Sequence, residues 1–349
     1  MKSTFSGWRY LWKSEDIRRK LLITFIILAI YRLAANVPAP GVDHEILSAF
    51  RASSSAQGNF LSFLDLLSGG LACHYRRYSN DPLQANAEAG ASAAELAQHP
   101  RVRQALSLLE LWLDGVRAYE GIPGMSVAVV HDQQLLWSRG FGLADRERGR
   151  AAAPDTVYSI CSISKLFTSI AVMQLRDAGK LRLDDPVAWH LPWFAVKQMH
   201  PESDPITIES LLTHSAGLQE DPSFPYWTGD FVFPPREQIV QRLPLEETLY
   251  PAQRHFEYSN LGLILVGEIV SQVSGTSYDA YVRQRILQPL GLHSTSSDMP
   301  QALRGGRLAK GYAARDRHGT RAPVRFFQAR GVAPAAGFAS TVEDLARFA

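Results

Sequence analysis

The hydrophobic and polar positions of this chain divide it into two parts of different character. Near the N-terminus, residues 21–31, "LLITFIILAIY", are apolar except for Thr24. A second patterned region begins near residue 100. Between the two, residues 71–98 show little apolar periodicity and are rich in Ala, Asn, Glu and Gln. That composition is typical of a linker, so we predict a boundary near residue 71.

The region after residue 98 has the pattern of one helix, a short hairpin and then mostly helical segments. Apolar residues three and four apart over 100–119 predict an amphipathic helix that ends before Gly121. Two apolar or β-branched runs within 125–145 predict a β-hairpin. Further helices are predicted at residues 160–180, 259–274 and 277–290. This order indicates an α+β architecture.

The apolar run near the N-terminus predicts one membrane helix. The run itself is shorter than the roughly 18 to 20 residues of most spanning helices. Residues 17–38, with basic side chains snorkelling at the ends, are long enough to cross a bilayer. Basic residues concentrate before the run, so the N-terminus is expected in the cytoplasm and all residues after 40 on the periplasmic side. A signal peptide is the alternative, although no clean A-x-A site follows.

Composition and charge exclude several classes of function. The apolar content of 46% suffices for a packed core, and a net charge of +2, from 36 basic and 34 acidic residues, argues against nucleic acid as a partner. The two cysteines, Cys73 and Cys161, have no zinc-ligand spacing and are interpreted as small buried residues. No H-E-x-x-H pair, G-x-G-x-x-G loop, Walker loop or G-x-S-x-G elbow occurs. We therefore expect neither a metal nor a cofactor.

Ser162 and Lys165 lie three positions apart at the start of a predicted helix. Residues at this spacing share a helix face, so the lysine amine can reach the serine hydroxyl. A hydroxyl becomes an effective nucleophile when a base takes its proton, and lysine can be that base. At the helix start the Ser162 amide also lies where the helix dipole favours an oxyanion. Most S-x-x-K pairs are solvated helix faces, so the pair alone does not establish a nucleophile.

A tripeptide further along the chain supplies context for this pair. Tyr258-Ser259-Asn260 begins the helix predicted at residues 259–274, and offers a phenol for proton transfer and an amide for substrate contact. The same tripeptide occurs at Tyr78-Ser79-Asn80 in the predicted linker, where we interpret it as a chance match. The predicted site consists of Ser162, Lys165, Tyr258 and Asn260.

Several sequence blocks follow one another around these residues. They include "GIPGMSVAVV", "DTVYSICSISKLFTS", "ITIESLLTHSAGL", "FEYSNLGLILVGEIV" and "GFASTVEDLARF". Together they resemble the beta-lactamase and penicillin-binding-protein-like serine hydrolases of the class C type, which include D-Ala-D-Ala carboxypeptidases and esterases. The resemblance covers about residues 96–349 and implies a beta-lactamase/transpeptidase-like domain over 99–349.

The resemblance also implies a role for each predicted site residue. Ser162 would be the acylated nucleophile, Lys165 its activating partner, Tyr258 a proton shuttle, and Asn260 a contact of substrate and lysine. Whether the lysine or the tyrosine is the base stays open. The implied substrate is a small molecule or peptide, namely a cell-wall peptide, a beta-lactam or an ester.

Two further residues, one in the block with Ser162 and one in a later block, are interpreted as structural. His214, in "LLTHSAGL", is of the residue type that most often serves as a base, but its block resembles a structural one in this family. Cys161 precedes Ser162, and on a helix its side chain would point about 100° away from that of the serine. We therefore predict a packing role for Cys161.

The family's third motif, K-T-G or H-x-G on a strand that lines the site, is expected after the "GFASTVEDLARF" block. No K-T-G occurs after Tyr258, and the chain ends at Ala349. The resemblance therefore predicts an incomplete antiparallel sheet that lacks one oxyanion donor, a loss of roughly a hundred- to a thousand-fold in rate. We expect impaired activity, and a catalytically dead relative that binds cell-wall peptides is an alternative.

The N-terminal part resembles a different family. It contains "WRYLWKSEDIRRKLLITFIILAIYRLAANVPAPGVD" and then "FLDLLSGG". These stretches are similar to the start of SecY, the channel subunit of the protein translocase. The resemblance covers residues 1–70 and implies a membrane location and translocase subunits as partners. Each of the two resemblances breaks off within the pattern of its own family, which predicts a fused or misassembled reading frame. The alternative function is that of a SecY-like fragment in protein transport.

Overall fold

The computed structural model describes residues 93–131, 133–223 and 231–349. Several predictions lie outside these residues and stay predictions. They are the membrane helix at 17–38, the SecY-like segment 1–70, Cys73, the tripeptide at 78–80 and the linker as far as residue 92. Within the described residues, no helix is both long and apolar enough to cross a membrane.

The described residues form short strands and a larger set of helices. The strands are β1 (Gly124–His131), β2 (Gln134–Asp145), β3 (Arg150–Ala151), β4 (Tyr158–Ser159) and β5 (Ala339–Ser340). The first helices are α1 (Ala93–Gln98), α2 (Pro100–Glu120), α3 (Ser164–Asp177), α4 (Val187–His190) and α5 (Ile208–Leu212). The later helices are α6 (Arg236–Arg242), α7 (Asn260–Ser274), α8 (Tyr278–Val282), α9 (Ala333–Ala336) and α10 (Val342–Phe348).

The predicted first helix and the hairpin are confirmed. Helix α2 has a proline in its first turn and ends at Gly121, whose φ of 56° is the left-handed conformation that glycine adopts readily. Strands β1 and β2 pair antiparallel, with a bulge between Val129 and Val130. Strand β3 adds to β2, so these strands form a three-stranded antiparallel sheet in the order β1-β2-β3.

A second, two-stranded sheet brings the end of the chain to the segment that precedes Ser162. In this sheet Tyr158 pairs with Ser340, and Ser159 pairs with Ala339. The predicted helix at 160–180 therefore begins later than expected, because residues Cys161–Ile163 form a 3₁₀ turn and α3 starts at Ser164.

Helix α7 lies in the centre of the helical region. It contacts α3, α5 and α9, and most of its residues are buried. Its first turn is capped by the Ser259 hydroxyl, which accepts a hydrogen bond from the Gly262 amide at 3.0 Å. The helix predicted at 277–290 is instead α8 followed by a π-helical turn over Arg283–Leu287. The predicted α+β class is confirmed.

Candidate active site

Ser162 lies in a tight turn between strand β4 and helix α3. The preceding residue, Cys161, has a φ of 43°, in the left-handed region that non-glycine residues seldom occupy. The 3₁₀ turn runs directly into α3, so the Ser162 amide is at the N-terminal end of a helical segment. The serine side chain is exposed, as a nucleophile that must meet a substrate requires.

Lys165 is the buried partner of Ser162. Its side chain is one turn further along and its residue is only 8% exposed. The amine Nζ lies 3.1 Å from Ser162 Oγ, 2.7 Å from Asn260 Oδ1 and 2.9 Å from the Ala335 carbonyl oxygen. Three acceptors therefore surround the amine, and this geometry holds it against the serine hydroxyl.

Tyr258 approaches Ser162 from the other side. Its hydroxyl donates a hydrogen bond of 2.8 Å to Ser162 Oγ. The Lys165 ammonium also lies 4.8 Å from the centroid of the tyrosine ring, within the range of a cation–π contact. Both the amine and the phenol oxygen are thus within hydrogen-bond distance of the serine hydroxyl, the geometry that proton transfer requires.

Asn260 links the lysine to a second side chain. Its Oδ1 accepts from Lys165, and its Nδ2 donates to Asp221 Oδ1 at 2.8 Å. The backbone amide of Asn260 also donates to the Glu220 carbonyl at 2.7 Å. The structure thus brings together all four residues that were predicted to form the site.

Sequence reasoning missed two groups of this site and mispredicted a third. Asp221 and the Ala335 carbonyl carry no local motif, because each reaches the site only through the tertiary fold. Cys161 is exposed rather than buried, so the predicted packing role is wrong. The reason is that Cys161 lies in the left-handed turn and not on the helix, and its Sγ lies 3.6 Å from Ser159 Oγ.

His214 supports the position of Tyr258. Its Nδ1 accepts a hydrogen bond of 3.0 Å from the Ser259 amide, and its ring lies 4.6 Å from the Tyr258 ring, centroid to centroid. Burial lowers the pKa of His214, and the nearby positive charge of Lys165 lowers this pKa further. The imidazole is therefore neutral near pH 7, with the proton on Nε2, and acts as an acceptor in a structural role.

This environment predicts a loss of stability in acid. The folded-state pKa of His214 lies below its ordinary value of 6.5. The unfolded chain therefore binds the proton more readily, so the stabilisation is complete above about pH 6.5 and is lost as the pH falls through the folded-state pKa. We expect the melting temperature of the wild type to fall across this range more steeply than that of His214→Asn.

The asparagine variant suits this test. Residue 214 has a φ of 57°, which asparagine tolerates, and an asparagine side chain can still accept from the Ser259 amide. His293→Gln, at an exposed histidine, is the control and should follow the wild-type pH curve. Parallel curves for wild type and His214→Asn would contradict the assignment.

A large cleft lies beside strand β4. Its volume is about 710 Å³, and its lining includes Tyr158, Ser159, Arg304, Lys310 and Phe327. None of the four predicted site residues belongs to its described lining, so the serine geometry carries the argument for the site. No group of three or more His, Cys, Asp or Glu side chains that could hold a metal lies within residues 93–131, 133–223 and 231–349.

In a comparison with known protein families, residues 110–349 match a family model described as Beta-lactamase. Beta-lactamase-like protein 2 of Dictyostelium discoideum is 31% identical over 180 residues, and Protein flp of Staphylococcus aureus (strain COL) is 30% identical over 178 residues. Each match covers 50% of this chain, but 33% and 35% of the relatives, respectively. The chain therefore spans about a third of the length of these curated relatives.

Solved structures similar to this chain also include proteins related to beta-lactamases. The octameric penicillin-binding protein homologue from Pyrococcus abyssi has a TM-score of 0.59 at 30% identity, covering 70% of this chain and 55% of that one. A class C beta lactamase from Rhodobacter sphaeroides has a TM-score of 0.54 at 30% identity, covering 67% and 62%. The predicted resemblance to the serine hydrolases is confirmed. The matched range does not reach residues 1–70, whose resemblance to SecY stays a prediction.

Proposed function

Because this chain belongs to the beta-lactamase family, we propose that it is a serine hydrolase that forms an acyl-enzyme at Ser162. One observation supports this most directly. Ser162 Oγ lies 3.1 Å from the Lys165 amine and 2.8 Å from the Tyr258 hydroxyl. A hydroxyl between two groups that can exchange protons is the arrangement that nucleophilic catalysis needs.

The proposed reaction has two steps. The Ser162 oxygen attacks the acyl carbon while its proton passes to Lys165 or Tyr258. The bond to the leaving group then breaks, and the leaving group departs with that proton. Water subsequently attacks the ester, which releases the acid and restores the serine hydroxyl. The Ser162 amide, at the N-terminal end of the helical segment, donates to the oxyanion formed in each step.

The proposed substrate is a small molecule or peptide that carries an amide, beta-lactam or ester group. The relatives named above include a penicillin-binding protein homologue and a class C beta lactamase. A further neighbour is the beta-lactamase/D-alanine carboxypeptidase from Yersinia pestis, with a TM-score of 0.57 at 27% identity. Amides, beta-lactams and simple esters all present a carbonyl that Ser162 can attack, so a panel of these three classes is the first substrate screen.

The test is covalent labelling by a fluorophosphonate, in which the activated serine oxygen attacks phosphorus and displaces fluoride. A fluorophosphonate probe should modify the wild type at Ser162, and Ser162→Ala should abolish the label. Cys161→Ser is the matched control, because Cys161 is an exposed nucleophile directly beside the serine. This variant should keep the label. Equal labelling of wild type and Ser162→Ala would overturn the proposal.

A further inference from the structure

We propose that Asp221 is a positioning residue that holds the Asn260 amide in one orientation and, through it, fixes Lys165 against Ser162. This inference rests on the proposed function, since it concerns how that same site is kept ready for acylation. The carrying observation is an unbroken chain of contacts. Asp221 accepts from Asn260 at 2.8 Å, Asn260 accepts from Lys165 at 2.7 Å, and Lys165 lies 3.1 Å from Ser162 Oγ.

The chemistry of the two neighbours permits only one orientation of the amide. An ionised carboxylate can only accept hydrogen bonds, and an ammonium can only donate them. With Asp221 on one side and Lys165 on the other, Asn260 must present Nδ2 to the carboxylate and Oδ1 to the lysine. The flipped amide would place its NH₂ against the ammonium and its carbonyl oxygen against the carboxylate, losing both bonds.

Asp221 is essential to this arrangement because the lysine changes its protonation state. When Lys165 acts as a neutral amine it has a lone pair, and an NH₂ group facing it would be an acceptable donor. That contact would occupy the lone pair that receives the Ser162 proton when the lysine is the base. The carboxylate of Asp221 prevents it, since it retains the Nδ2 group throughout. Oδ1 is then in place to stabilise the ammonium as soon as it forms.

The segment that carries Asp221 is itself anchored at both ends. Glu246, which is 1% exposed, accepts from the Ser223 amide at 2.9 Å and from the Ser223 hydroxyl at 2.9 Å. The same carboxylate accepts a hydrogen bond from the Gln219 side chain. The Gln219 carbonyl in turn accepts from the Ser259 hydroxyl at 2.7 Å. Residues on both sides of Asp221 are therefore tied down.

A double-mutant cycle tests the proposal. The four proteins are wild type, Asp221→Ala, Asn260→Ala and the double variant, each compared by its rate of fluorophosphonate labelling. We expect Asp221→Ala to slow labelling about tenfold, with the double variant no slower than Asn260→Ala within about twofold, because both changes break the same contact. Asp221→Asn should recover part of the loss, since asparagine keeps an acceptor oxygen but can also flip.

The matched control is Glu220→Gln, which removes the same charge from the adjacent, exposed residue. It should label at the wild-type rate, because only the backbone carbonyl of Glu220 contacts Asn260. Additive effects of the Asp221 and Asn260 substitutions would overturn the inference. An equal loss in Glu220→Gln would also overturn it, since a general charge effect would then explain the result.

Thermal unfolding of the same four proteins separates this inference from the proposed function. If the wild type does not label at Ser162, the proposed function fails. The unfolding cycle still shows whether Asp221 and Asn260 are coupled. Melting temperatures that shift by less in the double variant than the sum of the single shifts would support the contact, and additive shifts would overturn it.

Discussion

Replacing Lys165 by methionine is expected to slow fluorophosphonate labelling of Ser162 by roughly a hundred- to ten-thousand-fold, the range for loss of a positioned acid–base group. Methionine has nearly the length of lysine without its amine, so the substitution removes the amine beside Ser162 while largely keeping the packing. The amine lies 3.1 Å from Ser162 Oγ, within hydrogen-bond distance of the proposed nucleophile.

The substitution should lower the stability of the fold as well as the rate of labelling. The variant leaves Asn260 Oδ1 and the Ala335 carbonyl without their donor, which costs about 1–3 kcal/mol for each buried group. Labelling should therefore be measured well below the melting temperature of the variant, with circular dichroism as a check on folding. Lys180→Met is the matched control, because Lys180 follows the same helix and is exposed.

One outcome of this experiment would identify the base, which the sequence leaves open. If Lys165→Met labels almost as fast as wild type, the lysine is not the base and the Tyr258 phenol, 2.8 Å from Ser162 Oγ, takes the proton. If labelling falls as expected while Lys180→Met is unchanged, the lysine carries the proton or holds the site ready for its transfer.

Local spacing predicts one part of this site. The contact between Ser162 and Lys165 follows from the i, i+3 geometry of a helical turn, which any S-x-x-K pair on a helix shares. The distance from Tyr258 to Ser162 does not follow from spacing, because these residues are 96 positions apart. Only the family resemblance predicted that they share one site, and in the structure they are in contact.

The parts that sequence reasoning missed depend on backbone geometry or on long-range packing. A helical projection from residue 160 places the Cys161 side chain wrongly, because the backbone at Cys161 is left-handed. The contact of Lys165 with the Ala335 carbonyl joins residues 170 positions apart. No periodic pattern encodes such a contact, since a backbone carbonyl is present at every residue and only the fold selects one.

The same long-range packing underlies the second large effect, which concerns stability. Phe167 lies in α3, two residues after Lys165, and is fully buried. Its ring stacks on Phe338 at 4.7 Å and on Phe348 at 4.2 Å, centroid to centroid. The backbone of Phe338 is tied to the same region, because its amide donates to Ser164 Oγ at 3.0 Å and its carbonyl accepts from Ile160 at 2.9 Å.

Phe167→Ala is therefore expected to destabilise the fold by about 3–5 kcal/mol, as for other buried phenylalanines replaced by alanine. Urea unfolding followed by tryptophan fluorescence measures this loss. The control is Leu166→Ala, since Leu166 is adjacent but 42% exposed. This substitution should change the free energy of unfolding by less than about 1 kcal/mol. A loss below about 1 kcal/mol in Phe167→Ala would show that the stack does not hold α3 to the end of the chain. Because the Ala335 carbonyl that contacts Lys165 lies only three residues before Phe338, loosening this stack should also slow labelling of Ser162 in the fraction that remains folded.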